Sequence, residues 1–148
     1  MGNECWSTPL DIFKPLDDEF GFDLDVCAEV WNAKCEKFYT PQEDGLKQEW
    51  LGTCWMNPPY GKIIELWIRK AFFSSMLGAT VVCLVPSRTE TSWWHEYCLK
   101  GEIRYCRGRI WFTNRDGKKG RPRFASALVI FRPNQISHPT SKILRGLS

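Results

Sequence analysis

The chain has 148 residues, 25% of them charged and 43% hydrophobic, with a formal net charge of +3. That is one domain's worth of sequence, enough to bury roughly 68–70% of the unfolded surface. Its longest apolar stretches, such as Ala79 to Pro86, fall far short of the roughly 18–20 residues of a bilayer span, and Met1 to Trp6 carries no basic flank before an apolar run, so neither a membrane span nor a secretory leader is expected and a cytoplasmic location is.

Thr8-Pro9 marks a turn, and Leu10, Ile12, Phe13 and Leu16 behind it predict a short helix. Phe22 to Ala28 alternates apolar and polar side chains and ends in small ones, which reads as a strand running into a loop. Residues 29–50 are mixed and polar, with turns at Thr40-Pro41 and Asp44-Gly45. Thr53 to Met56 is a short apolar strand stopped by Asn57-Pro58-Pro59-Tyr60-Gly61. Ile63, Ile64, Trp67, Ile68, Ala71 and Phe72 recur at helical spacing, with Gly78 as the stop. Thr80 to Val85 reads as a strand buried on both faces and ended by Pro86. Residues 91–100 suit another helix. Ile103 to Phe112 and Phe124 to Phe131 read as two strands joined by the basic segment Thr113 to Arg123. The pattern predicts an α/β fold, mainly parallel with an antiparallel C-terminal hairpin, as a single domain over 1–133 followed by a polar tail over 134–148.

Seven scattered cysteines without a C-x-x-C pair argue for reduced, mostly buried thiols. His95 and Cys98 are the one close mixed pair, too little for zinc, so no metal is expected. Charge is divided along the chain. Residues 1–50 hold 12 acidic and 4 basic side chains, whereas residues 100–132 hold 10 basic and 2 acidic. Such a split suits one face for a polyanion and another region that uses carboxylates. Of the eight tryptophans, Trp31, Trp50, Trp55, Trp67 and Trp111 fall in strand or helix patterns and read as core. Trp93 and Trp94 follow the buried strand, where one of them can line a pocket.

The chemistry is carried by Asn57-Pro58-Pro59-Tyr60. In open α/β sheets, ligands bind beyond the carboxyl ends of strands, which is where this tetrapeptide falls. Two prolines fix φ and remove two backbone donors, leaving a stiff turn with outward carbonyls. The Asn57 side-chain carbonyl and the Pro58 main-chain carbonyl are two acceptors for an NH₂ group that donates both its protons. Tyr60 offers a ring for stacking. The matching substrate is a nucleobase amine or a carboxamide, whose lone pair is then directed at an activated methyl sulfonium. A duplex base reaches such a site only by extrusion, at a cost of a few kcal/mol. On spacing alone, Asp25 is a cofactor ligand or a strand-end cap, and Asp44 is a turn residue or an acceptor near an adenosine.

With these residues in hand, the chain resembles the phage-type DNA N6-adenine methyltransferases, small Dam-like enzymes. The resemblance runs from about Trp6 to Pro133 through Trp6-Ser7-Thr8-Pro9, Phe22 to Ala28, Asp44-Gly45-Leu46 with Trp50, Asn57 to Gly61, Leu84-Val85-Pro86, Arg88 to Thr91 with Trp93 and Trp94, Gly108 to Phe112, and Phe124 to Val129. It implies a Rossmann-like fold that uses S-adenosylmethionine. It also implies that Asn57, Pro58, Pro59 and Tyr60 hold and stack the target adenine, and that Thr8, Pro9, Asp25, Ala28 and Asp44 lie near the cofactor. The glycine-rich loop of larger methyltransferases is missing. The 28 residues from 29 to 56 are too few for two βα units and a strand, so a trimmed sheet is expected.

No separate target-recognition domain is visible, so DNA contact, expected to duplex DNA, falls to loops. Arg115, Lys118, Lys119, Arg121 and Arg123 are the candidates, with Arg88 a further one whose alternative is a structural salt bridge. Arg109, within a strand pattern, reads as a partner for a carboxylate. Two other readings stay open from the residues: the same chemistry on an RNA adenine or a protein glutamine amide, and a catalytically silent nucleic-acid-binding module.

Overall fold

The computed structural model describes residues 6–133. The polar tail expected over 134–148, with His138, and Cys5 lie outside the described residues. In chain order the elements are α1 (Leu10–Phe20), β1 (Leu24–Asp25), β2 (Thr53–Met56), α2 (Ile64–Met76), β3 (Thr80–Pro86), α3 (Ser92–Glu96), β4 (Glu102–Tyr105), β5 (Phe112–Thr113), β6 (Lys119–Gly120) and β7 (Ser126–Phe131). Short 3₁₀ turns fall at Gly45–Lys47 and Cys98–Lys100. No described helix is long and apolar enough to cross a membrane.

Five strands form one sheet in the order β1-β2-β3-β7-β4, and β5 and β6 make a separate two-stranded hairpin. β1, β2 and β3 are parallel neighbours, and β7 runs antiparallel between β3 and β4. β1 through β4 therefore aim their carboxyl ends at one edge of the sheet. The hairpin leaves from that edge and returns to it, because β7 begins with Ser126 beside Pro86 at the end of β3. This is the trimmed Rossmann-like arrangement. Between β1 and β2 the chain folds only into loops and one 3₁₀ turn.

Both faces of the sheet are covered. α1 lays Phe13 and Leu16 on Trp55, Val82, Leu84, Leu128 and Ile130, and Ile110 and Phe112 complete that layer. α2 buries Ile64, Trp67, Ile68 and Ala71 on the other face with α3's Trp93 and Trp94. Each large apolar side chain buried this way contributes about 1.5–3 kcal/mol. α2 ends as the sequence predicts: Gly78, at φ 115, donates to Ser75 O, and Ala79 donates to Ser74 O. This satisfies carbonyls that the helix end would otherwise orphan.

Several expectations change. The strand expected over Phe22 to Ala28 shrinks to Leu24–Asp25. The Asp25 carboxylate accepts from the backbone N–H groups of Cys27 and Lys34 at 3.2 and 3.0 Å, and these contacts turn the chain. The strand expected over Ile103 to Phe112 is two strands, β4 and β5. Pairing with β7 ends at Tyr105, and Gly108 at φ 73 turns the intervening chain away. The expected helix over 91–100 divides into α3 and a 3₁₀ turn where Tyr97 leaves helical geometry. The strand expected from Phe124 begins at Ser126. Trp93 and Trp94 are buried in the core. Trp111, read as core, is 50% exposed. Of the six cysteines described, Cys54, Cys83 and Cys98 are buried and the others half-buried.

Candidate active site

Asn57 follows the last residue of β2, and its amide is held in one orientation. Nδ2 donates to Thr8 Oγ1 at 3.1 Å and to the Trp6 carbonyl at 3.4 Å. Among the described residues no donor reaches Asn57 Oδ1 or the Pro58 carbonyl. The turn thus keeps two carbonyl oxygens open, the pattern that receives an amino group. Thr8 is buried at 2% exposure, so its hydroxyl is a fixed partner.

Tyr60 is half-buried and meets Phe112 of β5 edge to face, with centroids 6.5 Å apart. Its hydroxyl points inward toward Ser126, and among the described residues neither hydroxyl has a hydrogen-bond partner. Burial pushes this phenol well above its ordinary pKa, so it stays protonated. Phe112 was not among the expected site residues. Its place beside Tyr60 depends on the hairpin folding back over the strand ends, which no local pattern announces.

The segment Trp6 to Pro9 straps this region together. Ser7 and Thr113 exchange both main-chain hydrogen bonds, at 2.8 and 3.1 Å, adding the segment to β5. The Trp6 ring lies where a side chain at Gly120 would be, since a Cβ there would stand 2.9 Å from it. Asn32 donates to the Trp6 carbonyl at 3.4 Å and Lys34 Nζ to Ser7 Oγ at 2.8 Å. Neither Asn32 nor Lys34 carries a sequence signal, because each acts only once the loop after β1 has folded.

Asp25 is 2% exposed. Burial raises its pKa to about 7, against the opposing pull of the Lys34 and Cys27 N–H groups and the Lys34 charge. Both of its oxygens serve the loop, which is the strand-end cap reading. It also borders a small cavity with Trp6, Thr8, Cys27, Asn32, Lys34, Trp55 and Asn57. Ala28, buried beside this loop, donates to Tyr39 O. Asp44 caps the 3₁₀ turn by accepting from Leu46 N at 3.1 Å and does not line the cavity. Pro9 caps α1 and does not line it either.

The cavity lining is polar, with amide and hydroxyl groups, a buried carboxylate, and the enclosed Trp6 Nε1, which has no hydrogen-bond partner among the described residues. Its volume, about 10 Å³, holds about one water at most. A larger ligand fits only if the lining opens.

The basic candidates Arg115, Lys118, Lys119, Arg121 and Arg123 are all exposed, and none forms an ion pair among the described residues. They lie on and beside the β5–β6 hairpin, whose turn is held by Asn114 Oδ1 accepting from Asp116 N and Lys118 N. Arg88 donates to Glu90 and stacks over Phe124 at 4.3 Å, so its salt-bridge alternative is realised. Arg109 is not in a strand and donates to the Pro122 carbonyl rather than to a carboxylate.

A trimmed Rossmann-like sheet with an Asn-Pro-Pro-Tyr turn at its carboxyl edge, two of whose carbonyl oxygens are open, is the arrangement of a methyltransferase of the amino-group class. The chain belongs to the DNA N-6-adenine-methyltransferase (Dam) family, whose model matches residues 2–144. It is 33% identical over 141 residues to the DNA N-6-adenine-methyltransferase of Haemophilus phage HP1 (strain HP1c1), covering 88% of this chain and 79% of that one. It is 32% identical over 96 residues to the DNA N-6-adenine-methyltransferase of Escherichia phage T1, covering 63% of this chain and 40% of that one.

Proposed function

We propose that this chain transfers a methyl group from S-adenosylmethionine to N6 of an adenine turned out of duplex DNA, with Asn57 and Pro58 receiving the amine. One observation supports the reading: Thr8 and the Trp6 carbonyl engage the Asn57 amide nitrogen, which leaves Oδ1 as an open acceptor one residue before the open Pro58 carbonyl. Two acceptors at one turn take both N6 protons and direct the nitrogen lone pair out of the ring plane.

When bound, the cofactor supplies an activated methyl sulfonium, so no strong base is needed before attack. Asn57 and Pro58 stabilise the positive charge that grows on N6 by accepting from it more strongly as it develops. Methylation leaves N6 cationic and acidic, and the surplus proton departs to water. Tyr60, neutral and braced by Phe112, offers its ring to the extruded base and offsets part of the unstacking cost. Asp25 shapes the loop bordering the cofactor cavity, and the strap closes over it. The exposed cations of the hairpin hold DNA phosphates and set the duplex against the carboxyl edge.

The test is incubation with S-adenosylmethionine and unmethylated duplex DNA, followed by mass spectrometry of the digested nucleosides. N6-methyladenine is expected from the wild-type chain and absent with Asn57→Ala. A methylated cytosine would keep the class and change the base. Methyl transfer to RNA or to a glutamine peptide in place of DNA would refute the substrate.

A further inference from the structure

A groove of about 520 Å³ lies between the start of α1 and the chain entering β5. This is within the roughly 300–1,000 Å³ of small-molecule sites, yet it contains none of Asn57, Pro58 or Tyr60. Its lining includes Pro9, Asp11, Arg107, Arg109, Trp111 and Lys119. Three cations face one carboxylate there, so an anionic occupant is favoured. Arg109 is steadied by its hydrogen bond to the Pro122 carbonyl at 3.0 Å. Trp111 is 50% exposed, and Arg121 stacks over its ring at 5.1 Å. A half-exposed indole held under a guanidinium is a platform on which a flat ring can stack.

The groove adjoins the candidate active site through two connections. Thr8 accepts from Asn57, while its neighbour Pro9 lines the groove. Phe112 meets Tyr60, while Trp111 and Thr113 on either side of it line the groove. The strap and β5 thus lie between the groove and the candidate active site.

We infer that this groove is a second nucleotide subsite, in which a base beside the target adenine stacks on Trp111 and its phosphate is held by Arg107, Arg109 and Lys119. The inference rests on DNA being the substrate.

The experiment uses the full chain with duplex DNA carrying 5-iodouracil at scattered positions, photo-crosslinked and digested for mass spectrometry. DNA affinity is measured alongside for wild type, Trp111→Ala, Trp111→Phe and Arg107→Ala. The expected adduct is on Trp111. Trp111→Ala binds DNA about 5- to 150-fold more weakly, the range for losing one stacked base, with an unchanged salt slope. Trp111→Phe regains most of that loss, and Arg107→Ala flattens the salt slope by about one phosphate contact. Trp111 is half-exposed, so folding is not at stake, and thermal melts check it. Adducts confined to other residues together with wild-type affinity in Trp111→Ala would remove the subsite while leaving DNA methylation intact. Wild-type chain that binds no DNA would instead strike the substrate reading, and the subsite's occupant with it.

Discussion

In the proposed reaction Asn57 acts as an acceptor, and two other residues occupy its amide nitrogen. A free asparagine amide rotates and offers donor or acceptor alike, whereas here Thr8 Oγ1 and the Trp6 carbonyl take both N–H groups. Asn57→Ala removes the acceptor, and single-turnover methylation is expected to slow at least about 100-fold, the scale for losing one preorganised charge-stabilising group. Thr8→Val leaves the carbonyl but frees its orientation; a loss of about 10-fold is expected, and Thr8→Ser should restore it by returning the hydroxyl. Equal rates for Thr8→Val and wild type would show that the amide needs no positioning. Asp25 makes a second prediction, read in stability. An unfolded aspartate titrates near about 3.9, but Asp25 in the folded chain titrates at about 7 because it is buried. Between these values the folded state binds more protons, so stability falls as pH rises through that window and levels off above it. Asp25→Asn has no proton to bind and is expected to flatten the dependence of the urea midpoint between about pH 4 and 7.

At the scale of elements, local patterns did well where burial alone sets the structure. β2 spans Thr53–Met56 as its apolar run predicts, and α2 follows its helical spacing to the Gly78 stop. They failed where side chains compete with the backbone ladder. β1 stops at Asp25 because its carboxylate bonds the following N–H groups, and the predicted long strand to Phe112 breaks at the turn through Gly108. That break lets Trp111 face outward. The loop between β1 and β2 depends on one close approach: a Cβ on Gly45 would stand 2.1 Å from the Val26 carbonyl and 3.0 Å from the Trp67 ring. Since both neighbours are held in the core, Gly45→Ala is expected to destabilise the fold by about 2–3 kcal/mol, as overpacking of a filled site does. Urea unfolding that matches wild type within error would show that the loop can shift.

Across the whole molecule, the basic segment of the chain gathers on one hairpin at the carboxyl edge. The hairpin carrying Arg115, Lys118 and Lys119 leaves from the carboxyl edge where Asn57 sits, because β7 returns antiparallel beside β3. Replacing Lys118, Lys119 and Arg121 together by Ala is expected to reduce the slope of log affinity against log salt by about 3, near 0.9 per lost phosphate contact. An unchanged slope would place the DNA elsewhere. The α/β class, the Asn-Pro-Pro-Tyr turn after a buried strand, the missing space for a full crossover and the basic segment were all legible from residue order. Each rests on short-range rules of burial, spacing and backbone restriction. The Trp6 to Pro9 strap, the orientation of the Asn57 amide, the Tyr60–Phe112 contact and the exposure of Trp111 were not. They join residues dozens of positions apart, through contacts that exist only once the sheet has closed and its strand order has brought their ends to one edge.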